Sequence, residues 1–142
     1  MIAMYRKILV ALDGSEPSAH ALRHAAELAK TVGAEKVTIM HVHKDFPMQE
    51  PLYQIDLDSL LDEEDQAVMS PAVQFLSEAG IPYETHIFHG DPAHEIITYA
   101  KDHHYDVIVM GSTGKGIIKE ALLGSVSHQV AHSAHCPVMI LK

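Results

Sequence analysis

Residues 7–18 read K-I-L-V-A-L-D-G-S-E-P-S and hold three structural signals in one short stretch. The apolar run Lys7–Leu12 has the length of a buried strand and is too short for a helix of its own. Asp13-Gly14 ends it. Ser15 carries the side chain of a helix N-cap, and Pro17 is tolerated in a first turn because its missing N–H would have no helical partner there. A buried strand that passes into a helix within a few residues is the opening of a βαβ unit.

Working outward, Leu22, Ala25, Ala26, Ala29 and Val32 recur at the spacing of one helix face, and Gly33 is placed to close that helix. A second strand is predicted at Lys36–His43. Residues 44–58, with Pro47 and Pro51 and no clear period, read as a long loop. A helical stretch resumes at Ser59, and Val68, Ala72, Phe75, Leu76 and Ala79 give it an apolar face. Pro71 lies inside that pattern, so the helix is either kinked there or restarts with Ser70 as its cap. A third strand follows at Tyr83–His89. Gly90-Asp91-Pro92 then turns into a helix bearing Ala93, Ile96, Ile97 and Ala100 on one side.

Val107–Gly111 suits a central strand buried on both faces. A helix from about Ser125 to Ser133 and a last strand at Pro137–Leu141 complete a strict alternation. The expected fold class is α/β: a single doubly wound five-stranded parallel sheet, order 3-2-1-4-5, helices on both faces, with residues 1–142 forming one domain. Ligands in such sheets bind beyond the carboxyl ends of the strands where the order reverses, here between the first and fourth strands.

Composition narrows the function classes. The formal net charge is −9, which argues against nucleic acid as a partner, although protonating all twelve histidines would bring it to +3. The one cysteine, Cys136, cannot form an intramolecular disulfide. No apolar run approaches the length of a membrane span, and Met1–Lys7 are not built as a signal peptide. A cytoplasmic protein with no membrane partner is expected.

The chemistry concentrates in residues 111–127, G-S-T-G-K-G-I-I-K-E-A-L-L-G-S-V-S. Glycines 111, 114, 116 and 124 are read as letting the main chain approach a ligand closely. Gly124 leads into Ser125-Val126-Ser127 at a helix start, where free N–H groups and the positive end of the dipole suit a phosphate. The Ser125 and Ser127 hydroxyls are read as further donors, and Lys115 and Lys119 as offsetting phosphate charge. The segment is neither a P-loop, since Gly116 stands where Ser or Thr is required, nor the dinucleotide G-x-G-x-x-G fingerprint.

Gly111-x2-Gly114-x9-Gly124-Ser125 resembles the nucleotide-binding pattern of the universal stress protein family. The opening K-I-L-V-A-L-D-G-S-E-P-S, the M-H-V that ends the second strand, Gly90-Asp91-Pro92 and the closing C-P-V-M-I-L resemble it too. The resemblance implies ATP as ligand, with Mg2+ or Mn2+. It would place Asp13 near the ribose and metal and the backbone of Val42 against adenine. Gly111 and Gly114 would border ribose and phosphates, and Gly124, Ser125, Val126 and Ser127 would hold the phosphates. Ala11, Leu12 and Met110, at the ends of the first and fourth strands, complete the candidate set with Lys115.

Hydrolysis needs a positioned base or water-orienting group. The glycine segment has no carboxylate besides Glu120, and no catalytic residue is assigned. An ATP-binding stress-response regulator with slow or absent hydrolysis is expected. The alternatives are a nucleotide-independent dimeric adaptor and a weak ATPase or phosphotransferase.

His41 and His43 share one strand face, and His128, His132 and His135 share a helix face. Both spacings can ligate a metal, but they also describe an ordinary solvated face and read as a surface that titrates near neutrality. The Asp62–Asp65 run reads as a solvated helix face. The fifth strand is an edge in this order, and Val138, Met139, Ile140 and Leu141 leave it uncharged. Such an edge invites antiparallel pairing in a homodimer.

Overall fold

The computed structural model describes residues 4–43, 57–113 and 123–142. Strands and helices alternate as β1 (Lys7–Ala11), α1 (Glu16–Val32), β2 (Lys36–His43), α2 (Leu57–Glu78) and β3 (Tyr83–His89). They continue as α3 (Pro92–Asp102), β4 (Val107–Gly111), α4 (Ser125–Ser133) and β5 (Val138–Leu141). The sheet runs β3-β2-β1-β4-β5 with every pairing parallel, which is the expected α/β order.

Two hydrophobic layers follow from the two-residue period of a strand. Ile8, Val10, Val37, Ile39, Val107 and Val109 face α1 and α2, where they meet Ala21, Ala25 and Leu76. Leu9, Met40, Ile108 and Met110 face the other way, onto Ala93, Ile96 and Ala100 of α3 and Val130 of α4. The inward face of α1 is mostly alanine (Ala21, Ala25, Ala26 and Ala29 are all buried), so this helix can lie close to the sheet.

The capping residues act as their chemistry requires. Ser15 Oγ accepts from Ser18 N at 3.3 Å, and Asp91 Oδ2 accepts from His94 N at 2.9 Å. Gly33 closes α1 at φ 69°, ψ 45°, a left-handed conformation that a Cβ disfavours.

Three boundaries differ from expectation. β1 ends at Ala11 instead of Leu12, although Leu12 N still donates to Met40 O at 2.8 Å. β5 begins at Val138, while the Pro137 carbonyl accepts from Ile108 N at 3.0 Å just before it. Residues 57 and 58 are helical, so α2 starts two positions before Ser59. The rest of the expected 44–58 loop, residues 44–56, lies outside the described residues.

Pro71 does not restart α2, because Ser70 Oγ donates to Gln66 Oε1 at 2.8 Å and caps nothing. Pro71 and Ala67, whose carbonyl loses its helical donor, are both exposed, so water can satisfy that carbonyl. No helix among the described residues is long and apolar enough to cross a membrane.

Candidate functional site

At the carboxyl ends of β1 and β4 the chain leaves toward opposite faces of the sheet, and a cavity of about 400 Å³ opens between the departing segments. Small-molecule sites generally span about 300–1,000 Å³. Ala11, Leu12, Asp13, Val42, Met110, Gly111, Gly124, Ser125, Val126 and Ser127 all line it. Gly114 and Lys115 fall outside the described residues, as do Gly116, Lys119 and Glu120.

One wall is the junction of β4 with α4. Ser112 N donates to Leu141 O at 2.7 Å, which fixes the strand exit against β5. The Ser112 carbonyl accepts from Gly124 N at 2.7 Å and from Ser127 Oγ at 2.6 Å, so a single peptide group pins the start of α4 to the end of β4. Gly124 is the N-cap and has no side chain to satisfy the helix. The first helical hydrogen bond runs from His128 N to Gly124 O at 3.0 Å. The amides of Ser125, Val126 and Ser127 precede it and have no intrahelical acceptor.

Two roles expected on this wall change. The Ser127 hydroxyl, on a residue 2% exposed, is committed to Ser112 O and positions the helix instead of offering a spare donor. Gly111 is needed for packing. A Cβ there would stand 2.7 Å from both the carbonyl carbon and the Cβ of Pro17, and 2.8 Å from Ser18 N. The first turn of α1 thus requires the glycine, whatever the cavity holds. At Gly124 the backbone is extended, φ −77° and ψ 171°, a conformation any residue can adopt.

Asp13 forms part of the floor. It is exposed, and its Oδ1 accepts from Ser15 N at 2.9 Å. Its other carboxylate oxygen has no hydrogen-bond partner among the described residues.

The rest of the lining comes from the end of β2, from α2 and from the start of α3. Met40, His41, Val42, His43, Glu64, Pro92 and Ile96 lie here, and only Val42 was expected as a ligand contact. His41 and His43 continue the β2 face that carries Val37 and Ile39, so they point toward α2. Each is 4% exposed, which overturns the reading of this pair as a titrating surface. His41 Nδ1 donates to Leu12 O at 2.8 Å, and its Nε2 is buried without a partner. His43 Nε2 donates to Asp65 Oδ1.

Asp65 is 7% exposed and corrects the reading of residues 62–65 as a solvated face, which holds for Glu63 and Glu64. The reason is helical register. Asp65 lies four residues before Met69, and Met69, Ala72 and Leu76 are the buried stripe of α2. Extending the apolar period back one turn from Met69 is the signal that would have found it.

The remaining candidates behave as surface groups. His128, His132 and His135 are exposed. Cys136 is partly buried, and that burial, with Asp106 nearby, raises its thiol pKa and keeps it protonated.

The chain is a doubly wound α/β protein with a ligand-sized cavity at its switch point and, on one wall, a helix start without a side-chain cap. Comparison with known proteins narrows the class. The chain belongs to the universal stress protein family, whose sequence profile matches residues 4–142. It is 38% identical over 149 aligned positions to universal stress protein YxiE of Bacillus subtilis, covering 98% of this chain and 100% of that one. The solved structure of protein MJ0577, from Methanocaldococcus jannaschii, is similar with a TM-score of 0.86 at 36% identity, covering 98% of this chain and 96% of that one. A universal stress protein of Archaeoglobus fulgidus, solved in complex with dAMP, is similar with a TM-score of 0.72 at 27% identity, covering 98% and 99%.

Proposed function

We propose that this chain is an ATP-binding stress-response regulator that holds the nucleotide at the β1/β4 switch point and hydrolyses it slowly or not at all, with its sheet and four helices acting as a single domain. The observation that carries this reading is the start of α4, where three successive amides without intrahelical acceptors line a ligand-sized cavity. The phosphates belong on those amides, with the Ser125 hydroxyl beside them and Gly114 and Lys115 contributing from the same segment. Val42, Ile96 and Met110 offer apolar surface to the same cavity, suited to an adenine ring. The complex of the Archaeoglobus relative with dAMP supports an adenine nucleotide.

A divalent metal fits the donor set. Asp13 lines the cavity with one carboxylate oxygen that has no hydrogen-bond partner among the described residues, and Mg2+ or Mn2+ usually takes one or two carboxylates together with phosphate oxygens and water. Held by Asp13, such an ion would neutralise phosphate charge in a protein of net charge −9. We assign no catalytic role among the described residues.

We further read the protein as cytoplasmic, where ATP is plentiful. We also read it as a homodimer. β5 is a sheet edge, and Val138, Met139, Ile140 and Leu141 are only half-buried there. Light scattering at micromolar concentration checks the dimer, and a monomer mass overturns it.

For the nucleotide, purified protein is denatured and the released small molecules are separated by chromatography. Adenine nucleotide in the supernatant is expected, together with heat on titrating ATP and Mg2+ into stripped protein. Neither signal at millimolar ATP would sink the reading in favour of a nucleotide-independent adaptor.

A further inference from the structure

We propose that His41, His43 and Asp65 form a binding site for a divalent transition metal of the zinc class, set between β2 and α2 and separate from the amides of α4 and from Asp13. Each residue offers one donor atom, and these atoms lie within 4.8 Å of one another. His41 Nε2 stands 3.8 Å from Asp65 Oδ1. A tetrahedral zinc with bonds of about 2.0–2.1 Å holds its donors roughly 3.3 Å apart, so His41 and Asp65 close slightly while the hydrogen-bonded His43–Asp65 pair parts to admit the ion.

Four further features set this cluster apart from a chance meeting of polar groups. All three residues are buried, and a carboxylate is seldom placed there unless paired or metal-bound. His41 donates through Nδ1 to the Leu12 carbonyl, which leaves the Nε2 lone pair free. That second hydrogen bond is what orients a ligating imidazole. His41 Nε2 itself is a buried nitrogen with no partner, a state proteins rarely leave unexplained. Finally, the ligands ride on a central strand and a long helix, rigid elements that fix their spacing.

Two imidazoles and one carboxylate favour Zn2+ and its neighbours over Mg2+ or Ca2+, which prefer oxygen alone. His41 and His43 both border the cavity, so a water can supply the fourth ligand from that side. Coordination through His43 Nε2 displaces the proton now donated to Asp65, and that proton leaves to solvent. The bound ion ties α2 to the end of β2, beside Val42. The site stands whether or not the cavity takes ATP.

The test uses the full chain without an affinity tag, stripped of metal and nucleotide. Zn2+ is titrated against a chromophoric chelator, and the imidazole 15N resonances of the wild-type protein are followed in parallel. One Zn2+ per chain is expected, with the first equivalent shifting His41 and His43. Millimolar Mg2+ does not displace it. His41→Gln and Asp65→Asn each weaken binding by about 10–100-fold or more, and the double variant His128→Ala/His132→Ala leaves it unchanged. The proposal is overturned if the first equivalent shifts exposed histidines, or if folded His41→Gln binds Zn2+ as the wild type does. Should either buried variant fail to fold, the wild-type resonances decide.

Discussion

On the α4 side of the cavity the functional groups are backbone amides, whereas on the β2–α2 side they are buried side chains. The first wall needs residues that stay out of the way. Gly124 brings no cap, and the Ser112 carbonyl and Ser127 hydroxyl hold the helix start in place. The second needs particular chemistry delivered from two distant segments, β2 and α2, onto one spot. The amides present a positive dipole end to an anion within a protein of net charge −9. The histidine wall presents lone pairs, which suit a cation. Neighbouring walls of one cavity are thus matched to opposite ligand charges, and each can be broken without the other.

The largest effect is expected from Gly124→Val. The extended backbone at that position is open to a branched residue, and Gly124 lines the cavity, so the added bulk is expected to compete with the ligand. ATP affinity measured by calorimetry should fall at least about 100-fold, equivalent to roughly 2.7 kcal/mol, with Zn2+ binding intact. Loss of both ligands would show that the walls are not independent.

Gly111→Ala comes next. Its Cβ would meet the backbone of α1 at 2.7–2.8 Å, and overpacking of this kind costs about 1–3 kcal/mol. Urea denaturation measures it, and an unchanged midpoint would return Gly111 to a role in ligand approach alone. Ser127→Ala removes the hydroxyl that holds α4 to Ser112, with a cost of about 1 kcal/mol in stability and a weaker grip on ATP.

The smallest effect lies away from both walls, at the Lys36–Glu84 pair, 2.8 Å apart and partly exposed. The hydrogen bond from Lys36 lowers the Glu84 pKa below its usual value. Its stabilisation is therefore present above the unfolded-state pKa and is lost as pH falls through the lower folded value. Solvent screening limits Glu84→Gln to about 0.5 kcal/mol or less near neutrality, vanishing in acid. A larger loss at neutral pH would mean that the β3 edge matters more than its exposure suggests.

Much of the first wall was legible because its signals are local. Ser15, Pro17 and Gly33 mark the ends of α1 by propensities that act within a turn, and Gly124-Ser125 marks the start of α4 in the same way. The reasons for some residues were not legible. Gly111 looked like a ligand-side glycine because nothing in sequence places Pro17 against it; that contact exists only once β4 lies beside β1 under α1. Ser127 looked like a donor because its acceptor, Ser112 O, lies 15 residues away across the turn.

The second wall was partly visible. His41 and His43 share a face by strand period, but their partner acid sits in what reads as a charged run. Asp62, Glu63, Glu64 and Asp65 form a solvated cluster by composition, and only helical phase turns Asp65 inward.

What the sequence determined by itself was the alternation of strands and helices, their right-handed parallel stacking and the location of the switch point. Those follow from periodicity, capping and crossover handedness, which act over short distances. Tertiary structure alone decided which polar groups become buried together. Burial depends on which faces meet, and a lone histidine or aspartate has no local preference that announces its partner. Docking α2 on β2 converts two ordinary histidines and one member of an acidic run into a clustered set of three donors.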